Sequence, residues 1–242
     1  MATFLSFNAV RRLADWLRPG LVAAALLLTV PLARAQGVFN MGSLTNTLSI
    51  PTDSKGSSTA ATTKKNAAIS RPYTPTPALK QQTVKAYADQ LRPSDPTTAQ
   101  VTLDTFGPGK VDYGQVYRGM LTGTGLREND AVDAMTLYML VGYAIVHNVQ
   151  DGKAITPAMA RGLRTQVAST AGGSAAFASP GGAAKLGEEL KLQAVILQFG
   201  WEGAIKAGTL PAYRQRIAGM FRRDYNLDMA QLKLTSQGLA RK

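Results

Sequence analysis

The chain of 242 residues has no cysteine. That absence excludes disulfides, thiolate catalysis, cysteine-based metal sites and an N-terminal lipid-modified cysteine. Histidine is nearly absent too: His147 is the only one, so a histidine-rich zinc site is out of reach and no metal ligand set is expected. A Ser-His-Asp triad lacks the Gly-x-Ser-x-Gly pattern that would support it. Glutamate occurs only at 128, 188, 189 and 202. Long apolar runs are missing as well. The best internal stretch, Leu137 to Val146, is ten residues and is flanked by Asp133 and His147, against ~20 for a membrane-spanning helix. No Gly-rich segment has the lysine and preceding strand of a phosphate cradle; Gly107 to Gly109, Gly172-Gly173 and Gly181-Gly182 read as loop glycines. No resident cofactor is expected.

The first 35 residues have the order of a secretory signal peptide. Arg11, Arg12 and Arg18 supply positive charge, Leu21 to Val30 is apolar, and Pro31 breaks the run. Ala33 and Ala35 then place small residues at the −3 and −1 positions of a cleavage site before Gln36. A twin-arginine reading is disfavoured, because Leu13-Ala14-Asp15 follows the pair where strongly apolar residues belong. The expectation is export by the general route, cleavage, and a periplasmic or secreted protein with no transmembrane span in the mature chain. Cleavage would take four arginines and one aspartate from the 27 basic and 15 acidic side chains, leaving a net charge of about +9. Outside the cytoplasm the abundant anions are lipid headgroups and wall polymers. Nucleic acid is not expected, since no binding motif accompanies the charge.

Residues 36–77 read as a disordered linker. Asp53 to Ser70 is dense in Ser, Thr, Ala and Lys without apolar periodicity, and Arg71 to Pro77 carries three further prolines. Residues 78–242 read as one all-α bundle of five or six helices. Leu79, Val84, Tyr87 and Leu91 trace a stripe that ends at Arg92-Pro93. A turn-rich stretch follows through Pro96 and Gly107 to Gly109, then a short helix on Tyr113, Val116, Tyr117, Met120 and Leu121. Asn129 is expected to cap an apolar helix from Ala131 to Val149, stopped by Asp151-Gly152. Thr156-Pro157, Ser179-Pro180 and Thr209-Leu210-Pro211 are cap-and-proline starts of three more. The second of these is apolar on both sides, which is the pattern of a central helix. Leu227 to Lys242 suggests a turn of helix, a short extended piece at Leu232 to Thr235, and a basic tail.

Paired carboxylates would indicate a wall-cleaving glycosidase. Glu188 and Glu202 share a helix face but lie fourteen residues apart, ~21 Å along a continuous helix, where a glycosidase pair needs ~5 to 10 Å. Asp130 and Asp133 are close together, and a first helical turn explains them. No catalytic set is therefore assigned. The charge feature with functional promise is the last long helix. Arg216 and Arg223 fall on one flank and Arg214 with Arg222 on the other, with Ile217 and Phe221 between. These four arginines are the expected anion-binding surface. The chain so read is an exported, non-enzymatic protein for an anionic envelope component, with an assembly subunit of an envelope complex as the alternative and a wall hydrolase as a distant third.

Leu126-Arg127-Glu128-Asn129-Asp130, followed by Ala131, Ala134 and Tyr138, resembles a family of uncharacterised secreted bacterial α-helical proteins, a domain of unknown function. The resemblance implies a helical fold and an export signal, and it carries no activity or catalytic residue.

Overall fold

A computed structural model of the chain describes residues 69–171, 177, 179 and 181–242. The expected signal peptide with Ala33, Ala35 and Gln36, and the linker up to residue 68, lie outside the described residues. Among those described there are seven helices, a single 3₁₀ turn and one two-stranded sheet. The architecture is mostly helical, as the sequence periodicity implies.

Helix α1 (Pro77–Leu91) starts where Thr76 accepts a hydrogen bond from the Leu79 amide and Pro77 takes the first turn. Its inward face holds Val84, Tyr87, Ala88 and Leu91. Helix α2 (Pro96–Phe106) occupies the stretch read from sequence as turns. Asp95 caps it through the Thr98 amide, with Pro96 in the first turn. Its buried face is Thr98, Ala99, Thr102 and Phe106. Two threonines and an alanine make a weak hydrophobic signal, and Thr102 satisfies its hydroxyl on the Thr98 carbonyl. Helix α3 (Tyr113–Met120) is capped by Asp112 and buries Tyr113, Val116, Tyr117 and Met120, the expected stripe.

Helices α4 (Ala131–His147) and α6 (Gly182–Lys206) form the centre and pack along one another. Every residue of α4 except Tyr143 and His147 is buried, so its polar ends rather than its faces decide where it stops. The cap is Asp130, not Asn129: its carboxylate accepts from the Val132 and Asp133 amides. The helix ends earlier than the sequence suggests, because Asn148 takes the left-handed conformation at φ 55°. Helix α6 starts two residues later than the Ser179-Pro180 pattern predicts. Gly181, at φ 69°, is its cap, and Ser179 instead accepts the Gly182 amide on its carbonyl.

Helices α1 and α3 pack on α6, while α5 (Pro157–Ala171) and α7 (Leu210–Tyr225) pack on α4. Gly142 sets the α4–α7 spacing, since a Cβ there would overlap the ring of Phe221. Phe221 is 1% exposed and stacks with Tyr138 and Tyr225, whose hydroxyls share a hydrogen bond of 2.9 Å.

The C-terminus corrects the expected basic tail. The 3₁₀ turn Met229–Gln231 leads into strand β1 (Leu232–Thr235), which pairs antiparallel with β2 (Gly238–Arg241), Leu234 opposite Leu239. Strand β1 is the extended piece expected at Leu232 to Thr235, with Leu232 and Leu234 inward and Lys233 outward, while β2 takes the place of the expected tail. Side chains cover both outer edges: Gln166 of α5 accepts from and donates to the Leu239 backbone, and the Tyr143 hydroxyl accepts the Leu234 amide.

Residues 69–76, read as the end of a linker, form an extended strap against the helical core. The Ala131 amide donates to the Arg71 carbonyl and the Tyr73 amide to the Asn129 carbonyl, both at 3.0 Å. The Asp130 carboxylate that caps α4 also accepts from the Ser70 hydroxyl and the Arg71 amide. One carboxylate thus joins the head of the central helix to the strap.

Candidate functional site

The four arginines predicted as an anion site all lie on α7, whose inward residues Ile217 and Phe221 are buried as expected. The helix holds them on its shoulders, tied to the rest of the molecule. Arg214 donates from Nε and Nη2 to the Val146 carbonyl, at 3.1 and 2.8 Å, satisfying the C-terminal end of α4. Arg222 pairs with Asp228 at 2.9 Å. Arg223 forks onto Asp224 with bonds of 2.7 and 2.9 Å. Arg222 and Arg223 remain largely exposed, and exposed pairs contribute only ~0 to 1 kcal/mol each. Arg216 sits two turns before Arg223 and is half-buried.

His147 lies at the end of α4, but as a neutral ring rather than a charge meeting the helix dipole. Burial pulls its pKa below the usual histidine value, and the nearby cations Lys242 and Arg214 push the same way. Its Nε2 donates to the Met229 carbonyl at 2.9 Å, and the ring stacks on Tyr143. The imidazole ties α4 to the 3₁₀ turn.

Glu188 and Glu202 both lie on α6, a single uninterrupted helix, so the exclusion of a glycosidase pair on grounds of separation applies to the geometry found. Glu188 is fully buried. It accepts from the Tyr73 hydroxyl at 2.8 Å, the Tyr113 hydroxyl at 2.7 Å and the Lys191 ammonium at 2.7 Å. Lys191, 1% exposed, also donates to the Asn129 side chain at 2.8 Å and lies over the rings of Tyr73 and Tyr117. Desolvation holds its pKa below the usual lysine value, and Glu188 offsets part of that fall. Desolvation, reinforced by the Glu188 charge, lifts the phenols of Tyr73 and Tyr113 far above the usual tyrosine value, so both act as neutral donors.

A second polar cluster lies at the head of α4. Asp133, buried at 1% exposure, accepts the Arg127 amide at 2.8 Å and ion-pairs with the guanidinium groups of Arg127 and Arg164. Arg127 also reaches Asp130 at 3.0 Å, and Glu128 forks with Arg118. The Leu126–Asp130 segment is therefore a structural hub, with Asn129 and Asp130 each holding a partner from another element.

The sequence reading passed over Lys191, Tyr73 and Glu189. A signal was available: Glu188, Glu189 and Lys191 are the charges in a mostly apolar run between Leu186 and Leu197, and charges inside a central helix require partners. Glu189 has no cationic partner among the described residues. Gln193 donates to it at 3.1 Å, and burial raises its pKa from 4.5 to about 7. Burial also raises Glu202, which accepts from Gln198. Among the described residues no three His, Asp or Glu side chains cluster as metal ligands, and no helix is long and apolar enough to cross a membrane.

Comparison of the chain with protein-family models, with curated proteins and with solved structures finds no match.

Proposed function

We propose that the chain is an exported, non-enzymatic protein that binds an anionic component of the cell envelope through the shoulders of α7. The carrying observation is that Arg222 and Arg223 are exposed on a helix whose opposite face is locked in the core by Ile217 and Phe221. Their ion pairs with Asp228 and Asp224 are weak enough for a multiply charged anion to displace. Arg214 and Lys242, both close enough to His147 to lower its pKa, extend the positive field along the same end of the molecule. Binding rather than catalysis fits the carboxylates Glu188, Asp130 and Asp133, whose oxygens are engaged by tyrosines, lysine, arginines and backbone amides.

The test is co-sedimentation of the purified chain with vesicles of phosphatidylcholine alone and with added phosphatidylglycerol, and with purified wall polymer. Salt-sensitive retention on an anionic phase, lost in R222Q/R223Q, is expected. Retention equal on neutral and anionic phases, or unchanged in the variant, overturns the reading. Recovery of the chain from the envelope with Gln36 as its first residue would support export; an intact N-terminus in the cytosol would refute it.

A second reading, an assembly subunit of an envelope complex, is favoured by the strap. Residues 69–76 are stitched to α4 and α6, which gives the preceding arm a fixed point of departure. Deleting residues 36–68 would then leave the fold intact and abolish co-purification with the partner.

A further inference from the structure

We infer that the groove between α1 and α6 is a binding site for a short primary alkylammonium ion, with Glu189 as its counter-charge. None of the α7 arginines lines this groove, so either proposal can fail without the other.

The groove is a cavity of about 110 Å³ lined by Leu79, Thr83, Ala86 and Tyr87 of α1 and by Lys185 and Glu189 of α6. Its wall is overwhelmingly hydrocarbon. An apolar cavity of about 150 Å³ accommodates benzene, so the space here suits a chain of about four carbons. Gln82 and Gln90 of α1 also line it as uncharged amides, so Glu189 is the one acidic side chain on the wall. Thr83 spends its hydroxyl proton on the Leu79 carbonyl at 2.9 Å, within its own helix. Glu189 is 8% exposed, and Gln193, one turn further along α6, is its one hydrogen-bond donor among the described residues.

A buried carboxylate needs a compensating cation or several donors to remain charged. Its neighbour Glu188 has both, in Lys191 and two phenols. Glu189 has neither, although it lines an open groove. The titratable groups that face it are Tyr87 from α1 and Tyr225 from α7, both phenols whose own pKa burial raises, so neither supplies positive charge. Lys185 precedes Glu189 by one turn, but it is exposed at the rim and forms no ion pair with it. An ammonium group entering the groove would meet the carboxylate in a water-poor setting, where a charge-assisted hydrogen bond is strongest, while its alkyl chain covers Leu79, Ala86 and Tyr87. Raised toward neutrality by burial, Glu189 would ionise on binding, so affinity should increase with pH up to about 7.

The test is a nuclear magnetic resonance titration of the full chain at pH 8 with butylammonium chloride, with 1-pentanol as the uncharged chain of similar length. Saturable shifts confined to residues 79–90 and 185–193 are expected, with pentanol weaker by about tenfold or more, the loss of one charge-assisted hydrogen bond. Glu189→Gln should weaken butylammonium to the level of pentanol, and Ala86→Leu, which leaves the carboxylate in place and fills the wall, should weaken both ligands. Absence of saturation in the native chain, equal affinity for pentanol, or undiminished binding by Glu189→Gln would each overturn the proposal.

Discussion

Replacing Lys191 with methionine removes one member of a buried pair and leaves the other. Glu188 and Lys191 are 0% and 1% exposed and 2.7 Å apart. Breaking a buried pair on one side costs ~3 to 5 kcal/mol, because the remaining charge is uncompensated. Glu188 would keep the hydroxyls of Tyr73 and Tyr113, which moves the expected loss to the lower end, about 3 kcal/mol. Glu188→Gln alone leaves the ammonium with Asn129 and two aromatic faces, and a loss of about 2 to 3 kcal/mol follows. The double variant buries no charge, and its loss should be no larger than that of either single change. The coupling energy is then at least about 3 kcal/mol, measurable by urea denaturation of all four proteins at pH 7. Both single variants should remain folded, since a domain has ~5 to 15 kcal/mol in reserve. Effects that add to within about 0.5 kcal/mol would refute the account of the pair as mutually dependent.

Gly187 lies under the ring of Tyr73, and a Cβ there would overlap it. Gly187→Ala should therefore lift the strap, seen as faster hydrogen exchange at the Tyr73 and Ala131 amides, with the amides of α7 unchanged. Glu189 is raised to about 7 in the folded chain from 4.5, so folding takes up a proton between those values. Its stabilising contribution is complete below about pH 4.5 and fades as pH rises through 7, a change of about 3 kcal/mol. Urea midpoints of Glu189→Gln should lack that part of the pH dependence. Asp133→Asn leaves the Arg164 guanidinium, with only 13% of its side chain exposed, opposite a neutral amide, and a loss of about 2 to 4 kcal/mol is expected in thermal or urea unfolding.

Much of the helical layout was legible because it rests on local chemistry. Thr156-Pro157 starts α5 through a contact within three residues, and Tyr113, Val116, Tyr117 and Met120 repeat on one face. Helix α2 was not legible, because its inward face is mostly threonine and alanine. Such residues are buried here by the close approach of α1, which no local pattern announces. The shift of the α4 cap from Asn129 to Asp130 has the same origin. Either side chain can cap, and the strap and Lys191 decide between them by engaging Asp130 and Asn129 respectively. The α7 arginines were legible as a charged set, whereas their pairing with Asp224, Asp228 and the Val146 carbonyl depends on how the chain turns after Tyr225 and where α4 ends.

By itself, the amino-acid order determined a disulfide-free helical domain, because helix faces, caps and the absence of cysteine are properties of neighbouring residues. Tertiary structure alone decided which charges became core and which stayed on the surface. Glu188 and Glu189 are adjacent and chemically identical. One meets Lys191, Tyr73 and Tyr113, drawn from 115 and 75 residues away in the case of the two tyrosines, and the other faces a groove. A side chain's protonation follows from the groups that packing brings within a few ångströms, and that proximity is set by the whole fold.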